Sequence, residues 1–170
     1  MACDLGNVGS SVTGGLILQK FLAFLAVSAV VPTFANADLL DRYETAMERF
    51  QINFTAFYIS RIPELEGNMP PTEWEDIDRD IGRCVLKTYE AATGAAGVEA
   101  FVIGIEALAA VEVTSNRVIT AAMAPVMADT VANAAVESCG QNDRTNEILA
   151  RTGMIAIISD PENQVALNAE

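Results

Sequence analysis

The amino-acid sequence predicts an all-α protein: an antiparallel bundle of four main helices with a short C-terminal helical segment, preceded by an N-terminal signal peptide. Apolar residues in the longest regular segment recur at helical rather than strand spacing. The later apolar segments are bounded by residues typical of helix caps and stops. No linker divides the chain after residue 37, so residues 38–170 are predicted to form a single helical domain.

The first helix is predicted over residues 39–62. Its apolar stripe has spacings of 3, 4, 3, 4 and 3 and consists of Leu40, Tyr43, Met47, Phe50, Phe54 and Phe57. Five of the eight aromatic residues that follow Ala37 lie in this segment, so we expect the other helices to pack around it. A coiled-coil contact between two chains is the alternative. The short stripe and its bulky residues favour a core within one chain, and hence a monomer over a homodimer.

A loop over residues 63–71, rich in proline, separates this helix from the second. Thr72 and Glu75 have the spacing of a capping box, and Gly94 is a plausible stop. Aspartates at positions 76, 78 and 80 resemble the start of a calcium loop. That loop needs glycine and glutamate where this chain has Ile81 and Lys87, so we interpret the aspartates as a solvated helix face.

The third helix is predicted over residues 95–113 and the fourth over 117–138, with a cap near Ser115 and a kink or split at Pro125. Glu99 and Glu106 are seven residues apart and should share one helix face. Glu106 lies in an apolar segment, where burial would raise its pKa. Residues 144–152 and a segment starting near residue 161 are predicted to be short helices, whereas the run 154–158 is ambiguous.

Charge and composition exclude several functions. The net charge of −13 disfavours contact with phosphate backbones, so no nucleic-acid partner is predicted. The chain contains no histidine, which removes Ser-His-Asp and Cys-His catalysis and histidine-ligated metals. We therefore predict neither a cofactor nor a metal, and no enzymatic activity.

Residues 1–37 are interpreted as a cleaved signal peptide. Lys20 precedes an uncharged apolar run over residues 21–31, and Ala35-Asn36-Ala37 has the small-x-small pattern of a signal peptidase site. An uncleaved anchor is the alternative, but the run is short for a bilayer span of about 20 residues. The predicted location is periplasmic or secreted, with no stable membrane insertion after cleavage.

Two cysteines, Cys84 and Cys139, remain after the predicted cleavage point. In an oxidising compartment they are expected to form one disulfide. Closing a loop of this length stabilises a fold by roughly 4 kcal/mol in the chain-entropy model. The chain has no Cys-x-x-Cys motif, so the predicted bridge is structural.

Three hypotheses about function follow. The favoured one is a small exported, non-enzymatic helical protein that acts through contacts with an unidentified protein partner. The second is a carrier or sensor that binds a small apolar ligand in the bundle core, with a pocket formed by Met123, Met127 and Glu106. The third is an enzyme that uses carboxylates alone.

The signal peptide provides the first testable prediction. We expect the exported protein to begin at Asp38, because the small-x-small pattern ends at Ala37. Intact-mass analysis of the exported protein measures this directly. A mature form that keeps residues 21–31 would show that the run is an anchor.

Overall fold

A computed structural model describes residues 34–168, with side chains from residue 37 onward. The predicted signal peptide therefore lies outside the described residues, apart from its last four, which form the first turn of α1. A 3₁₀ helix, Pro63–Leu65, follows α1. In chain order the α-helices are α1 (Phe34–Arg61), α2 (Asp76–Thr93), α3 (Ala95–Ala109), α4 (Asn116–Ala128), α5 (Thr130–Ser138), α6 (Gln141–Thr152), α7 (Met154–Ile158) and α8 (Pro161–Asn168).

The all-α prediction is confirmed, and no strand occurs within the described residues. The helices are more numerous than the predicted four and a short segment. One reason is that the predicted fourth helix breaks at Asp129, four residues after Pro125. Asp129 caps α5 by accepting from the amides of Val131 and Ala132, and its other oxygen accepts from the Tyr89 hydroxyl at 2.8 Å.

The break between α4 and α5 bends the chain by 83°. As a pair, these two helices reach the length and apolar composition of a membrane span, whereas no single helix in the described part of the chain does. Gly140 and Gly153 then separate α5, α6 and α7. Both glycines have a positive φ, which other residues rarely adopt. Each therefore ends the preceding helix, as the sequence predicts.

The capping box of α2 differs from the prediction. It is formed by Glu75 and Asp78 rather than by Thr72 and Glu75, and α2 begins at Asp76. The Glu75 amide donates to Asp78 Oδ2 at 3.0 Å. Two acidic residues therefore satisfy the free amides of this helix end, where the helix dipole also favours negative charge.

The order of contacts along α1 shows the directions of α2 and α3 relative to it. Arg79 on α2 pairs with Glu44, and the Trp74 amide before α2 donates to Glu48, so α1 and α2 run antiparallel. Arg42 pairs with Glu99 and Glu106 on α3, while the Asn53 side chain donates to the Ala109 carbonyl, so α1 and α3 run in the same direction.

Two hydrophobic clusters form along α1, one at each half of the helix. The first cluster joins α1 to α2, α3 and α5, and contains Leu39, Leu40, Tyr43, Ala46, Leu86, Tyr89, Val98, Val102, Ile105, Ala109 and Ala132. The second joins α1 to the 3₁₀ helix, α4, α7 and α8, and contains Phe57, Ile62, Leu65, Ile119, Met154 and Leu167. Helix α1 is thus the element that both clusters share.

The apolar stripe of α1 is not buried evenly along its length. Leu40, Tyr43 and Phe57 are buried, as expected. Phe50 and Phe54 are partly buried and pack against the edges of the two clusters. The large rings of the stripe are therefore all mostly buried, as expected, but Phe50 and Phe54 at the middle of α1 are less completely buried than Tyr43 and Phe57.

A disulfide joins Cys84 on α2 to Cys139 at the end of α5, with 5.8 Å between their Cα atoms. This supports the predicted bridge. The contacts around it explain the pairing: α2 and α5 run antiparallel, and Tyr89 reaches Asp129 at the other end of the same interface. The bridge therefore ties α5 to α2 across a sequence separation of 55 residues.

The unequal burial of the stripe leads to a stability prediction. Phe57 is only 5% exposed, so Phe57→Ala should lower the free energy of unfolding by about 3–5 kcal/mol, as for other core phenylalanines. Phe50→Ala removes the same atoms from a less completely buried position and should cost markedly less. Urea denaturation of both variants tests this. Equal losses would show that the middle of α1 is as tightly packed as its end.

Candidate functional site

The structure does not bring Met123, Met127 and Glu106 together. Met123 packs against the second cluster and lines a cavity. Met127 is 64% exposed, because α4 ends one residue later and the chain bends away. Glu106 lies on α3, beside Arg42 of α1, and does not line that cavity.

Glu106 differs from the prediction in its electrostatics as well. The Arg42 guanidinium donates to both of its oxygens, at 2.8 and 2.9 Å, and to Glu99 at 2.7 Å. Hydrogen bonding to Arg42 lowers the pKa of the Glu106 carboxyl and outweighs the opposing effect of burial. The expected raised pKa is therefore wrong. The two glutamates do share a helix face, and their observed role is to attach α3 to α1.

A cavity of about 530 Å³ lies beside the middle of α1, where the two hydrophobic clusters separate. The segment before α2, the first turns of α2, and parts of α4, α6 and α7 complete its wall. Most lining side chains are apolar: Met47, Phe50, Phe54, Tyr58, Pro70, Pro71, Trp74, Ile81, Met123, Ile148, Leu149, Met154, Ile155 and Ile158.

Aromatic rings from α1 form one wall of the cavity. Phe50, Phe54 and Tyr58 are four residues apart, so they lie on one face of the helix. The ring centroids of Phe50 and Phe54 are 6.1 Å apart, and those of Phe54 and Tyr58 are 4.2 Å apart. The same spacing that predicts a core stripe thus lines a cavity with contiguous aromatic surface.

Trp74 contributes a further aromatic surface. Its backbone amide donates to Glu48 at 3.0 Å, and its indole meets the Tyr43 ring edge-on at 5.6 Å between centroids. Gly82 makes this position available: a Cβ atom there would lie 2.6 Å from the indole carbon Cζ3. Glycine therefore allows the indole to lie directly on α2.

The polar end of the cavity is built around Arg144 of α6. Its side chain is only 8% exposed, and it donates to Asp78 at 2.9 Å and to Glu75 at 2.7 Å. A longer contact of 3.4 Å reaches Glu147. Burial of Asp78 acts to raise its pKa, but the hydrogen bonds from Arg144 and the Glu75 amide prevail and lower it.

Gln141, one turn before Arg144, also lines the cavity. Its Oε1 atom is buried and has no hydrogen-bond partner among the described residues. Nearby, burial raises the pKa of Tyr43 to about 12, an effect that the Gln141 amide opposes. Most polar atoms at this end of the cavity therefore have hydrogen-bond partners within the described residues, but Gln141 Oε1 does not.

This polar end is not predicted from the sequence. The three aspartates of α2 do not form one solvated face, because Asp78 is only 17% exposed and pairs with Arg144. Asp76 and Asp80 do lie in the open and pair with Arg79 and Arg83 on the same helix. In the sequence, the apolar residues Ile148 and Leu149 that follow Arg144 indicate that one face of this helix is buried.

No protein-family model, curated protein or solved structure matches this chain. The arrangement of the cavity is therefore the observation from which function is inferred. Within the residues that the structure describes, no group of three or more histidine, cysteine, aspartate or glutamate side chains could hold a metal ion.

The lowered pKa of Asp78 gives a pH-dependent prediction. A carboxyl whose pKa is lowered by folding stabilises the fold above its ordinary value, here 3.8, and loses that effect as the pH falls through the lowered value. Arg144→Leu should therefore destabilise the protein at neutral pH by about 2 kcal/mol, less than for a fully buried pair because Glu75 reaches solvent. It should also flatten the loss of stability in acid.

Urea denaturation between neutral and acid pH measures both effects. Arg83→Leu is the matched control, since Arg83 forms an exposed pair with Asp80 and its loss should change stability little. An Arg144→Leu protein that matches the control at every pH would contradict the assignment of Arg144 as the centre of this cluster.

Proposed function

We propose that this protein is a non-enzymatic binding protein that holds a small apolar ligand in the cavity beside α1. The volume of about 530 Å³ supports this, because small-molecule sites typically occupy roughly 300–1,000 Å³. The lining supports it as well: such sites combine apolar and aromatic walls with a few polar groups that orient the ligand. This is the second of the three hypotheses from the sequence, and the cavity moves it ahead of the partner hypothesis.

The partner hypothesis has weaker support. The large exposed apolar residues within the described part of the chain are distributed over many elements: Ile52, Ile77, Ile103, Met127, Ile155 and Val165. Single exposed apolar residues are normal on protein surfaces and need no partner. The enzyme hypothesis is weaker still, because Asp78 is bound to Arg144. This leaves Glu73 as the one unpaired carboxylate lining the cavity in the described part of the chain, without a second for paired acid–base chemistry.

We also propose that the protein is exported and acts in the periplasm or outside the cell, as a monomer. The apolar run after Lys20 and the small-x-small pattern at residues 35–37 are the main support. The bridge between Cys84 and Cys139 agrees with an oxidising compartment. A small exported carrier would keep an apolar compound in solution.

A fluorescence titration tests ligand binding directly. Trp74 is the single tryptophan of the chain and lines the cavity, so a bound apolar fluorophore should accept energy from it. N-phenylnaphthylamine, which is uncharged at neutral pH, is a suitable probe. We expect saturable binding of one probe per chain.

A matched pair of variants locates the binding. Ile148→Phe adds bulk inside the cavity and should weaken probe binding about tenfold, roughly the effect of 1.4 kcal/mol. Ile103→Phe makes the same change at an exposed position on α3 and should leave binding unchanged. Absence of saturable binding, or equal affinities for the two variants, would contradict the proposed function.

A further inference from the structure

We propose that the ligand of this cavity is a cationic amphiphile, with an alkyl or aromatic body in the apolar part and an ammonium group at the polar end. This inference rests on the proposed function and adds the charge of the ligand to it. The evidence is the balance of charge around Arg144 and the aromatic composition of the wall.

Within the described residues, Arg144 is the only basic residue that lines the cavity, and its guanidinium is already paired with carboxylates of the protein. Its Nε and Nη2 atoms donate to Asp78 and Glu75 at 2.9 and 2.7 Å, and Nη1 faces Glu147 at 3.4 Å. A carboxylate or phosphate ligand would therefore need to displace one of these acids before it could pair with the guanidinium. The cavity thus offers an anionic head group no free positive charge.

The polar end instead carries an excess of negative charge. Three carboxylates, those of Glu75, Asp78 and Glu147, contact the single guanidinium of Arg144, and a fourth, that of Glu73, lines the same cavity. Arg151 adds a positive charge close enough to influence Asp78 through space, which leaves the group negative. Glu73 lines the cavity, and its carboxylate forms no ion pair within the described residues. An ammonium group would find its complement there.

The aromatic wall favours the same class of ligand. The rings of Phe50, Phe54, Tyr58 and Trp74 all line the cavity. The faces of aromatic rings carry partial negative charge and attract ammonium groups, most strongly when water is excluded. An aliphatic wall of equal volume would accept an apolar body but would contribute nothing to selection of a cation.

A series of ligands with one chain length and different head groups tests the inference. Decyltrimethylammonium, decanol and decanoate compete against bound N-phenylnaphthylamine, at concentrations below micelle formation. We expect decyltrimethylammonium to bind about tenfold more tightly than decanoate at low salt, with decanol between them. Raising the salt concentration should reduce this ratio, because the polar end is partly open to solvent.

Charge reversal at Glu73 provides the matched variant. Glu73→Lys places a positive charge at the cavity wall and should remove or invert the preference, measured as the ratio of the affinities of decyltrimethylammonium and decanoate. Glu66→Lys makes the same change in the same segment, outside the cavity lining, and should preserve the preference. Persistence of the wild-type preference in Glu73→Lys would overturn the inference.

The outcomes separate the two proposals. If the uncharged probe binds but decanoate binds as tightly as decyltrimethylammonium, the cationic assignment is wrong and the proposed function stands. If neither the probe nor any member of the series binds, the proposed function fails and the inference fails with it.

Discussion

Helix α1 must supply apolar surface to two hydrophobic clusters that meet at its centre only through the rings of Phe50 and Phe54. One half contributes Leu40 and Tyr43 to the contacts with α2, α3 and α5, and the other half contributes Phe57 to the contacts with α4, α7 and α8. Burial of apolar surface is the main favourable term in folding, so the two ends of α1 are fixed by it. At the middle of the helix Phe50 and Phe54 lie at the edges of the clusters rather than in their interiors, and the cavity lies beside them.

The polar end of this cavity follows from a different constraint. A guanidinium that is nearly removed from water requires partners for its charge and its N–H groups. Arg144 finds them in Glu75 and Asp78, and Asp78 is at the same time part of the capping box that begins α2. The start of α2 and the wall of the cavity therefore depend on the same carboxylates, which couples the local structure of a helix end to the chemistry of the site.

The sequence predicts the helical class, the position of α1 and the cysteine pair, because these depend on local periodicity and on a count of thiols. It also predicts that Glu99 and Glu106 share a face. It cannot predict that Arg42 lies opposite them, because that contact joins residues 64 positions apart. The cavity could not be predicted from the sequence either. An aromatic stripe at helical spacing is compatible both with a fully packed core and with a core that contains a cavity. Phe50 and Phe54, which are less buried than the other rings of the same stripe, line the candidate site.

The residues that line the cavity lie almost entirely outside the covalent loop closed by the disulfide. The covalent loop between Cys84 and Cys139 encloses the second half of α2 and all of α3, α4 and α5, yet Met123 is the only lining residue within it. Helices α6, α7 and α8 come after the bridge, so beyond the peptide chain itself they are held to the other helices by non-covalent contacts. Partial unfolding can release such a terminal unit while the rest of a protein stays intact. The disulfide therefore adds no cross-link to the C-terminal side of the cavity wall, which depends on the ion pairs of Arg144 and on the second hydrophobic cluster.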